Sequence, residues 1–313
     1  MDLAIETIRA AVRAALDEDH AESDVTTQWS VPAGVRVEAA MIAKQAGRVA
    51  GLALVEGVYD AVDTSVTVRA AVVDGDEVRP GQVMAWISGP ARSIITGERA
   101  ALNFVQRMSG IATLTSAFVG AIGNHNVKLL DTRKTAPGLR ALDKYAVTCG
   151  GGTNHRLDLN AMVLLKENHL AAAGGVRPAV QSVRDGMAAT GQHLAVEVEV
   201  TTLAEAYEAM DCQVDWIMLD NMSIDVMRSV IEQRDASGSG CRLEASGTIS
   251  LETVADIAAS GVDALSVGAL THSAPALDTS LLISPFERQQ SDHRGGRSTA
   301  NGSVTVNSRA TNL

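Results

Sequence analysis

Six short apolar runs follow one another between residues 127 and 268, and helical patterns lie between them. The runs are VKLLD, AMVLLKENH, LAVEVEV, WIMLDN, CRLEASG and ALSVGAL, and the helical patterns cover residues 137–148, 176–190, 202–210, 223–235 and 250–259. Strands that alternate with helices in this way predict parallel strands joined by crossover helices. The pattern therefore restricts this part of the chain to an α/β barrel or a doubly wound sheet.

The first part of the chain has a different pattern. Residues 2–16 place apolar side chains at helical spacing, which predicts an amphipathic helix. Between residues 35 and 88, three strand-like runs are separated by turn signals such as DGDEVRPG, and GLALVEGVYDAV predicts a helix among them. This is an α+β segment with antiparallel character. Residues 91–122 then predict one long helix, or a broken helix that is interrupted near Gly110.

Composition and charge exclude several classes of protein. The pI near 5.1 and the formal net charge of -11 argue against general nucleic-acid binding, which requires a basic face. The cysteines Cys149, Cys212 and Cys241 are far apart, so they indicate neither a disulfide framework nor a zinc site. The N-terminus is acidic where a signal peptide needs bases, and no run approaches the roughly 20 apolar residues of a membrane span. We therefore expect a soluble, cytoplasmic protein, with a polar segment at 287–313 that is disordered.

Charged and small residues stand at the ends of the six apolar runs. In chain order these are Asp131 with Arg133 and Lys134, then Lys166, Glu199, Asp220, Ser246 with Gly247, and Gly268. Ligands bind at the carboxyl ends of parallel strands in α/β folds, so we expect these residues to face one site. Bases there would hold anions, and small residues would allow a phosphate to approach. Glu199 and Asp220, on adjacent strands, would hold one Mg²⁺ directly or through water.

The acidic residues of the third run leave two questions open. Glu197 lies two residues before Glu199 and points to the same side of the strand, so spacing alone does not decide which of them faces the site. A structural ion pair with Lys134 or Lys166 is a competing role for either acid.

Segment 131–169 has a local excess of positive charge in an otherwise acidic chain. Its bases are Arg133, Lys134, Arg140, Lys144, His155, Arg156, Lys166 and His169. Arginine is suited to bidentate contacts with carboxylate or phosphate, so this cluster is typical of a site for an anionic ligand. For Lys144 we predict a solvated helix face, and we leave the role of Arg140 open.

These motifs together resemble the quinolinate phosphoribosyltransferases, also called carboxylating nicotinate-nucleotide pyrophosphorylases, of the type II phosphoribosyltransferase family. The resemblance rests on DTRKTAPGLR, KYAV, GGG, NHR, LLKENH, EVEV, LDN and SGTI, and on the long-helix motif GERAALNFVQRMSGIAT at 97–113. It covers about residues 1–286.

The resemblance implies a fold and an assembly. An N-terminal α+β sandwich domain at 1–105 would be completed by residues 270–286, where PALDTSLLI looks like a returning segment. An irregular, open α/β barrel would form the catalytic domain at 106–269. A homodimer, or a larger assembly of dimers, would place one subunit's sandwich domain over the partner's barrel.

The resemblance also implies a reaction. Quinolinate and 5-phosphoribosyl 1-diphosphate would give nicotinate mononucleotide, diphosphate and CO₂, with Mg²⁺, in NAD biosynthesis. Quinolinate would be held by Arg133, His155, Arg156 and Lys166, and by Arg99 from the other subunit. The phosphoribosyl substrate would be held by Lys134, Lys166, Glu199, Asp220, Ser246, Gly247 and Gly268. Lys134, Glu199 and Asp220 would be catalytic, Glu199 and Asp220 would hold the metal, and Asn168 and His169 would support Lys166.

Three other functions stay open at this point. A paralogue of the same fold from molybdenum-transport operons would use another acceptor, although the bases assigned above suit a dicarboxylate. A nicotinate phosphoribosyltransferase would act on a monoacid and couple to ATP, and these motifs do not look like that family. A non-catalytic binding protein for anionic metabolites would need the bases, but it would not need Glu199 and Asp220.

Overall fold

A computed structural model describes residues 3–285, so the disorder expected for 287–313 falls outside the described residues. The helices are α1 (Ile5–Glu18), α2 (Val25–Ser30), α3 (Leu52–Val62), α4 (Ala91–Ile122), α5 (Arg140–Cys149), α6 (Glu167–Ala173), α7 (Val176–Thr190), α8 (Leu203–Asp211), α9 (Ile224–Ser237), α10 (Val254–Ala258) and α11 (Ala269–His272). The strands are β1 (Arg36–Ala43), β2 (Gly47–Arg48), β3 (Thr67–Ala70), β4 (Glu77–Val78), β5 (Val83–Pro90), β6 (Lys128–Leu130), β7 (Val163–Leu165), β8 (Val196–Val200), β9 (Trp216–Asp220), β10 (Arg242–Ser246), β11 (Ala264–Ser266) and β12 (Thr279–Pro285). Within the described part of the chain, no helix is both long enough and apolar enough to cross a membrane.

The N-terminal unit is built on a four-stranded antiparallel sheet in the order β12, β1, β5, β3. Alternate residues of β1 are buried, as expected for a strand with one face on a core. β12 returns from the end of the second unit and pairs with β1, with Ile283 opposite Ala39. The segment that the resemblance assigned to this sheet, 275–283, overlaps this strand.

The second unit is a six-stranded parallel sheet in the order β6, β11, β10, β9, β8, β7. All six apolar runs form strands of this one sheet, and the five helical patterns correspond to α5, α7, α8, α9 and α10. β6 and β7 are its outer strands, and within residues 3–285 they do not pair with each other. This is an open α/β barrel-like sheet, which confirms the predicted fold class.

The long helix α4 joins the two units. It packs against α3 and β5 of the first unit and against α5 and α10 of the second. The helix runs through residues 105 and 106, where the resemblance placed the domain boundary, so it belongs to both units.

Of the two alternatives predicted for residues 91–122, the single long helix is confirmed and the interruption near Gly110 is wrong. α4 is continuous, and Gly110 is buried within it. A methyl group at position 110 would overlap the carbonyl oxygen of Pro275. The glycine therefore lets the backbone that leads into β12 approach the helix closely, and it does not break the helix.

A short helix that the sequence pattern did not indicate follows β7. The strand ends at Leu165, and residues written as part of the apolar run AMVLLKENH begin α6 at Glu167. The side chain of His169 accepts a hydrogen bond from the backbone N–H of Lys166 through Nδ1 (3.0 Å), which caps the first turn. The cap sets the backbone at the position where Lys166 leaves the strand.

We expect Gly110→Ala to destabilise the protein by about 1–3 kcal/mol, because the added methyl group must displace the Pro275 backbone. Gly120→Ala is the matched control, since no atom lies within 4 Å of a methyl group at that position of the same helix. We expect the control to be neutral or to stabilise by up to about 1 kcal/mol. Urea unfolding of both variants measures the difference, and equal stabilities would contradict the close approach.

Candidate active site

The carboxyl ends of the parallel strands lie together at one edge of the sheet. Asp220 pairs in register with Ser246 on the neighbouring strand. Glu199 pairs with Met218, which lies two residues before Asp220 and therefore on the same face of β9. The strand-end residues of β8, β9 and β10 are thus neighbours, as the run pattern predicts.

Lys166 and Glu199 form an ion pair at this edge. An ion pair was the competing role that the sequence left open for Glu199, and it is present. The Lys166 side chain is 45% exposed and that of Glu199 is 16% exposed. Because the lysine is accessible to solvent, a ligand can reach it and replace the carboxylate as its partner.

Lys134 lies against Gly268 and the short helix α11, which follow β11. Its carbonyl oxygen accepts a hydrogen bond from Oγ1 of Thr271 (2.8 Å). A methyl group on Gly268 would lie 3.0 Å from Cδ of Lys134, so the lysine stem runs closely past this glycine. The structure therefore brings the predicted residues of the first and last strand ends together.

Asn221 is a site residue to which the sequence analysis assigned no role. Its Nδ2 donates to Asp220 (3.0 Å), and its Oδ1 accepts from the backbone N–H of Thr248 (3.1 Å). Gly247 has a φ of +118°, and a methyl group there would overlap the Asn221 side chain. Only glycine adopts this backbone conformation readily and also leaves room for the Asn221 side chain. Through its two hydrogen bonds, Asn221 links Asp220 at the end of β9 to the loop after β10. The LDN motif, which contains Asn221, was the sequence feature that could have indicated this role.

The prediction that Lys144 lies on a solvated helix face is wrong. Lys144 is fully buried, its ammonium contacts the carboxylate of Asp131, and it donates to the carbonyl oxygen of His155 (3.0 Å). Helical spacing showed that Arg140 and Lys144 share a face of α5, but only the fold shows that this face packs on the end of β6. Arg140, whose role was open, donates through Nε to Oγ1 of Thr135 (3.2 Å) and so fixes the loop before α5.

Asp131 is the centre of a buried polar cluster. Besides Lys144, it accepts hydrogen bonds from the backbone N–H of His155 (2.9 Å) and from Nδ2 of Asn154 (2.6 Å). Burial lowers the pKa of Lys144 and raises the pKa of Asp131, because loss of solvent outweighs their mutual attraction. The cluster connects the end of β6, helix α5 and the loop that carries His155.

The imidazole of His155 contacts two buried acids. Nε2 lies 3.1 Å from Oε2 of Glu197 and 3.5 Å from Oε2 of Glu244. Nδ1 accepts the backbone N–H of Arg156 (2.7 Å), so the ring proton is on Nε2. The sequence analysis did not include Glu244 among the site residues, because it considered the ends of the apolar runs and Glu244 lies within the run CRLEASG.

Arg133 and Arg156 lie near His155 and its two glutamates. Burial and the charge of Arg133 lower the pKa of Arg156, while Glu197 opposes the shift. Arg156 donates through Nη1 to the carbonyl oxygen of Met162 (3.2 Å). Nε of Arg133 is buried and has no hydrogen-bond partner among the described residues. A guanidinium that has one buried N–H without a partner is typical of a site that binds an anion.

Two groups of side chains are candidates for holding a cation: His155 with Glu197 and Glu244, and Glu199 with Asp220. The ligand atoms of His155, Glu197 and Glu244 lie within 4.8 Å of one another, but the hydrogen bonds to the imidazole account for that proximity without an ion. Glu199 and Asp220 offer carboxylate oxygens on the same face of adjacent strands, which is the donor type that Mg²⁺ prefers.

Arg99 is separate from the strand ends of its own chain. It is exposed on α4, and none of the hydrogen bonds or ion pairs found within residues 3–285 joins it to them. Its role across a subunit interface therefore stays a prediction. Of the two residues expected to support Lys166, His169 caps its backbone and Asn168 is exposed.

We expect Lys144→Met to destabilise the protein by about 3–5 kcal/mol, because it leaves the Asp131 carboxylate buried without its counter-ion. Lys44→Met is the matched control, since Lys44 is exposed and pairs with Asp278 only at 3.9 Å. We expect less than about 1 kcal/mol for the control. Chemical unfolding of both variants measures this, and a small effect at position 144 would show that the ion pair is dispensable.

Comparison with known proteins identifies the same two units. Residues 24–109 match the family model of the quinolinate phosphoribosyl transferase N-terminal domain, and residues 111–282 match the model of the C-terminal domain. A quinolinate phosphoribosyltransferase (decarboxylating) 1b of Nicotiana tabacum is 43% identical over 289 residues, which cover 88% of this chain and 82% of the relative. The nicotinate-nucleotide pyrophosphorylase (carboxylating) of Mycobacterium leprae is 42% identical over 283 residues, which cover 90% of this chain and 98% of the relative.

Solved structures agree with this assignment. The crystal structure of NadC from Streptococcus pyogenes superimposes with a TM-score of 0.85 at 38% identity and covers 92% of this chain and 100% of that one. The matched models, the relatives and the structural similarity cover both sheets and every strand end described above, and this chain therefore belongs to the quinolinate phosphoribosyltransferase family.

Proposed function

We propose that this chain transfers the phosphoribosyl group of 5-phosphoribosyl 1-diphosphate to the ring nitrogen of quinolinate, and that it releases diphosphate and CO₂ to form nicotinate mononucleotide for NAD biosynthesis. One observation carries most of the proposal. The Nε of Arg133 is buried without a partner beside Arg156, next to the strand ends that carry Lys166, Glu199 and Asp220. The site thus joins free donors for an acid to carboxylates suited to a ribose and a metal.

Quinolinate carries two carboxylates, which must be fixed so that its nitrogen faces C1 of the ribose. Arg133, Arg156 and Lys166 supply this orientation, because a guanidinium fork fixes a carboxylate in two directions. Holding two reactants in such a geometry can lower the barrier by several kcal/mol. Since the Lys166 side chain is accessible, quinolinate can take it over from Glu199 on binding.

The phosphoribosyl substrate lies across the remaining strand ends. Lys134 extends past Gly268 and stabilises the leaving diphosphate, while Ser246, Gly247 and nearby N–H groups hold the 5-phosphate. As diphosphate departs, C1 of the ribose gains positive charge, which Glu199 and Asp220 stabilise.

Mg²⁺ fits the donor set of this site. Glu199 and Asp220 would hold it, and Asn221 would orient Asp220 through their hydrogen bond. When bound, the ion supplies positive charge to the diphosphate.

The decarboxylation requires no nucleophile from the protein. Once the nitrogen is ribosylated, the ring is a cation. When CO₂ leaves, the bonding electrons stay on the ring carbon beside the cationic nitrogen, which stabilises them until a proton takes the place of CO₂ on that carbon. The protein has to hold the ring in place and exclude water during this step. This agrees with strand ends whose only hydroxyl among the assigned residues is that of Ser246.

Release of CO₂ from carboxyl-labelled quinolinate tests the proposed function. We expect release that depends on both 5-phosphoribosyl 1-diphosphate and Mg²⁺. Quinolinate binding without any turnover would instead indicate a non-catalytic binding protein. Turnover with another acceptor and none with quinolinate would indicate the paralogue from molybdenum-transport operons.

We expect Arg133→Ala to raise the KM for quinolinate by about 10- to 100-fold, the equivalent of one hydrogen bond to a charged group of about 1.5–3 kcal/mol. The KM for the phosphoribosyl donor should change much less, because Lys134 contacts that substrate. Arg177→Ala is the control, since Arg177 is 60% exposed at the start of α7. Equal increases in both KM values would contradict the division of roles between Arg133 and Lys134.

We also propose a homodimer in which Arg99 completes the partner's site. Arg99→Ala and Lys134→Ala should each lose most activity alone. After mixing and subunit exchange, about a quarter of the sites should be intact, because each mixed dimer contains one native site. If Arg99 acts on its own barrel, mixing restores no activity, and steady-state rates of the mixture distinguish the two outcomes.

A further inference from the structure

Both ring nitrogens of His155 are already used within the protein. Nε2 lies between Glu197 and Glu244 at 3.1 and 3.5 Å, and Nδ1 accepts the backbone N–H of Arg156 at 2.7 Å. The His155 side chain is 9% exposed. An imidazole has only two nitrogens, so neither is available to a substrate carboxylate while these contacts persist.

The two glutamates reach the ring from strands that are not neighbours. Glu197 lies on β8 and Glu244 lies on β10, with β9 between them. Each glutamate is 1% exposed, and each leaves Oε1 without a hydrogen-bond partner among the described residues. Buried carboxylate oxygens without partners reduce stability. A pair of them inside the sheet therefore indicates a function other than stability.

The backbone of His155 is fixed independently of its ring. Its N–H donates to Asp131, and its carbonyl oxygen accepts from Lys144. Asp131 and Lys144 hold the backbone of His155, and Glu197 and Glu244 hold its ring. The peptide between His155 and Arg156 therefore has little conformational freedom. The hydrogen bond from the Arg156 N–H to Nδ1 then couples the ring orientation directly to Arg156.

We propose that Glu197 and Glu244 are positioning residues that hold the His155 ring, and that this bridge sets Arg156 for the carboxylate of an aromatic dicarboxylic acid. His155 is then a positioning residue as well, and this replaces its expected role as a direct quinolinate ligand. The inference rests on the proposed function, since quinolinate binding is its readout. Glu244 is the better residue to test, because Glu197 is two residues from the proposed metal ligand Glu199.

Kinetics of Glu244→Leu and Glu244→Gln test the bridge. Leucine removes one of the two carboxylates that hold Nε2 and leaves only Glu197, so we expect the KM for quinolinate to rise by about tenfold or more, with the KM for the phosphoribosyl donor within about twofold. Glutamine keeps an oxygen acceptor and should recover most of the loss. The control is Leu243→Ala, which creates a cavity on the opposite face of the same strand and should lower stability without changing either KM.

An Arg156→Ala background separates positioning from direct contact. If Glu244 acts through Arg156, Glu244→Leu adds no further increase in the quinolinate KM once Arg156 is gone. If it acts by orienting His155 onto the substrate, the two increases multiply, and the proposal is overturned. His155→Phe keeps the ring volume but loses both nitrogens, and it gives the same comparison if Glu244→Leu does not fold.

Failure of this inference is distinct from failure of the proposed function. The wild-type enzyme must first release CO₂ from quinolinate, and absence of that activity would contradict the proposed function. With wild-type turnover established, unchanged KM values in both Glu244→Leu and His155→Phe would contradict the bridge alone. Equal increases in both KM values would also contradict it, because they would show a general effect on the fold.

Discussion

The carboxylate of Asp131 joins three parts of the chain that the rest of the site requires in one place. It lies at the end of β6, and it accepts from Lys144 on α5 and from Asn154 and His155 in the following loop. A buried ion pair seldom adds net stability, because both charges lose their water. Its effect here is to permit one arrangement of strand end, helix and loop, since any other leaves a buried charge without its partner.

A second buried acid fixes the loop between β6 and α5, which begins at Asp131. Asp143 accepts two hydrogen bonds of 2.8 Å from Arg107 on α4 and one of 3.1 Å from the backbone N–H of Ala136. The segment that carries Arg133 and Lys134 is therefore held at both ends. A segment fixed in this way can keep two adjacent side chains in different surroundings, and Arg133 is half-buried while Lys134 is exposed. This is the physical basis for assigning the two residues to two substrates.

Periodicity was sufficient to predict the sheet, its parallel strands and the side chains at the strand ends, because these follow from local pattern and from the geometry of parallel sheets. It could not place Lys144, whose partner Asp131 is thirteen residues away and meets it only in the folded chain. It left open a helix break near Gly110, because the approach of Pro275, which explains this glycine, is a tertiary contact. The position of Glu244 could have been recognised from the sequence. An acid inside an apolar strand is costly unless it is paired, so RLEAS already implied a partner across the sheet.

The acids of the site fall into two kinds, and the difference explains how an acidic chain keeps a cluster of bases before any substrate arrives. Glu199 meets Lys166 where that lysine is exposed, so an incoming carboxylate can replace it. Glu197 and Glu244 are fully enclosed with His155, so no ligand can replace them. The charge of Glu197 opposes the repulsion between Arg133 and Arg156. The enclosed acids therefore keep the bases assembled, while under the proposed function the exchangeable acid, Glu199, would give up Lys166 to the dicarboxylate.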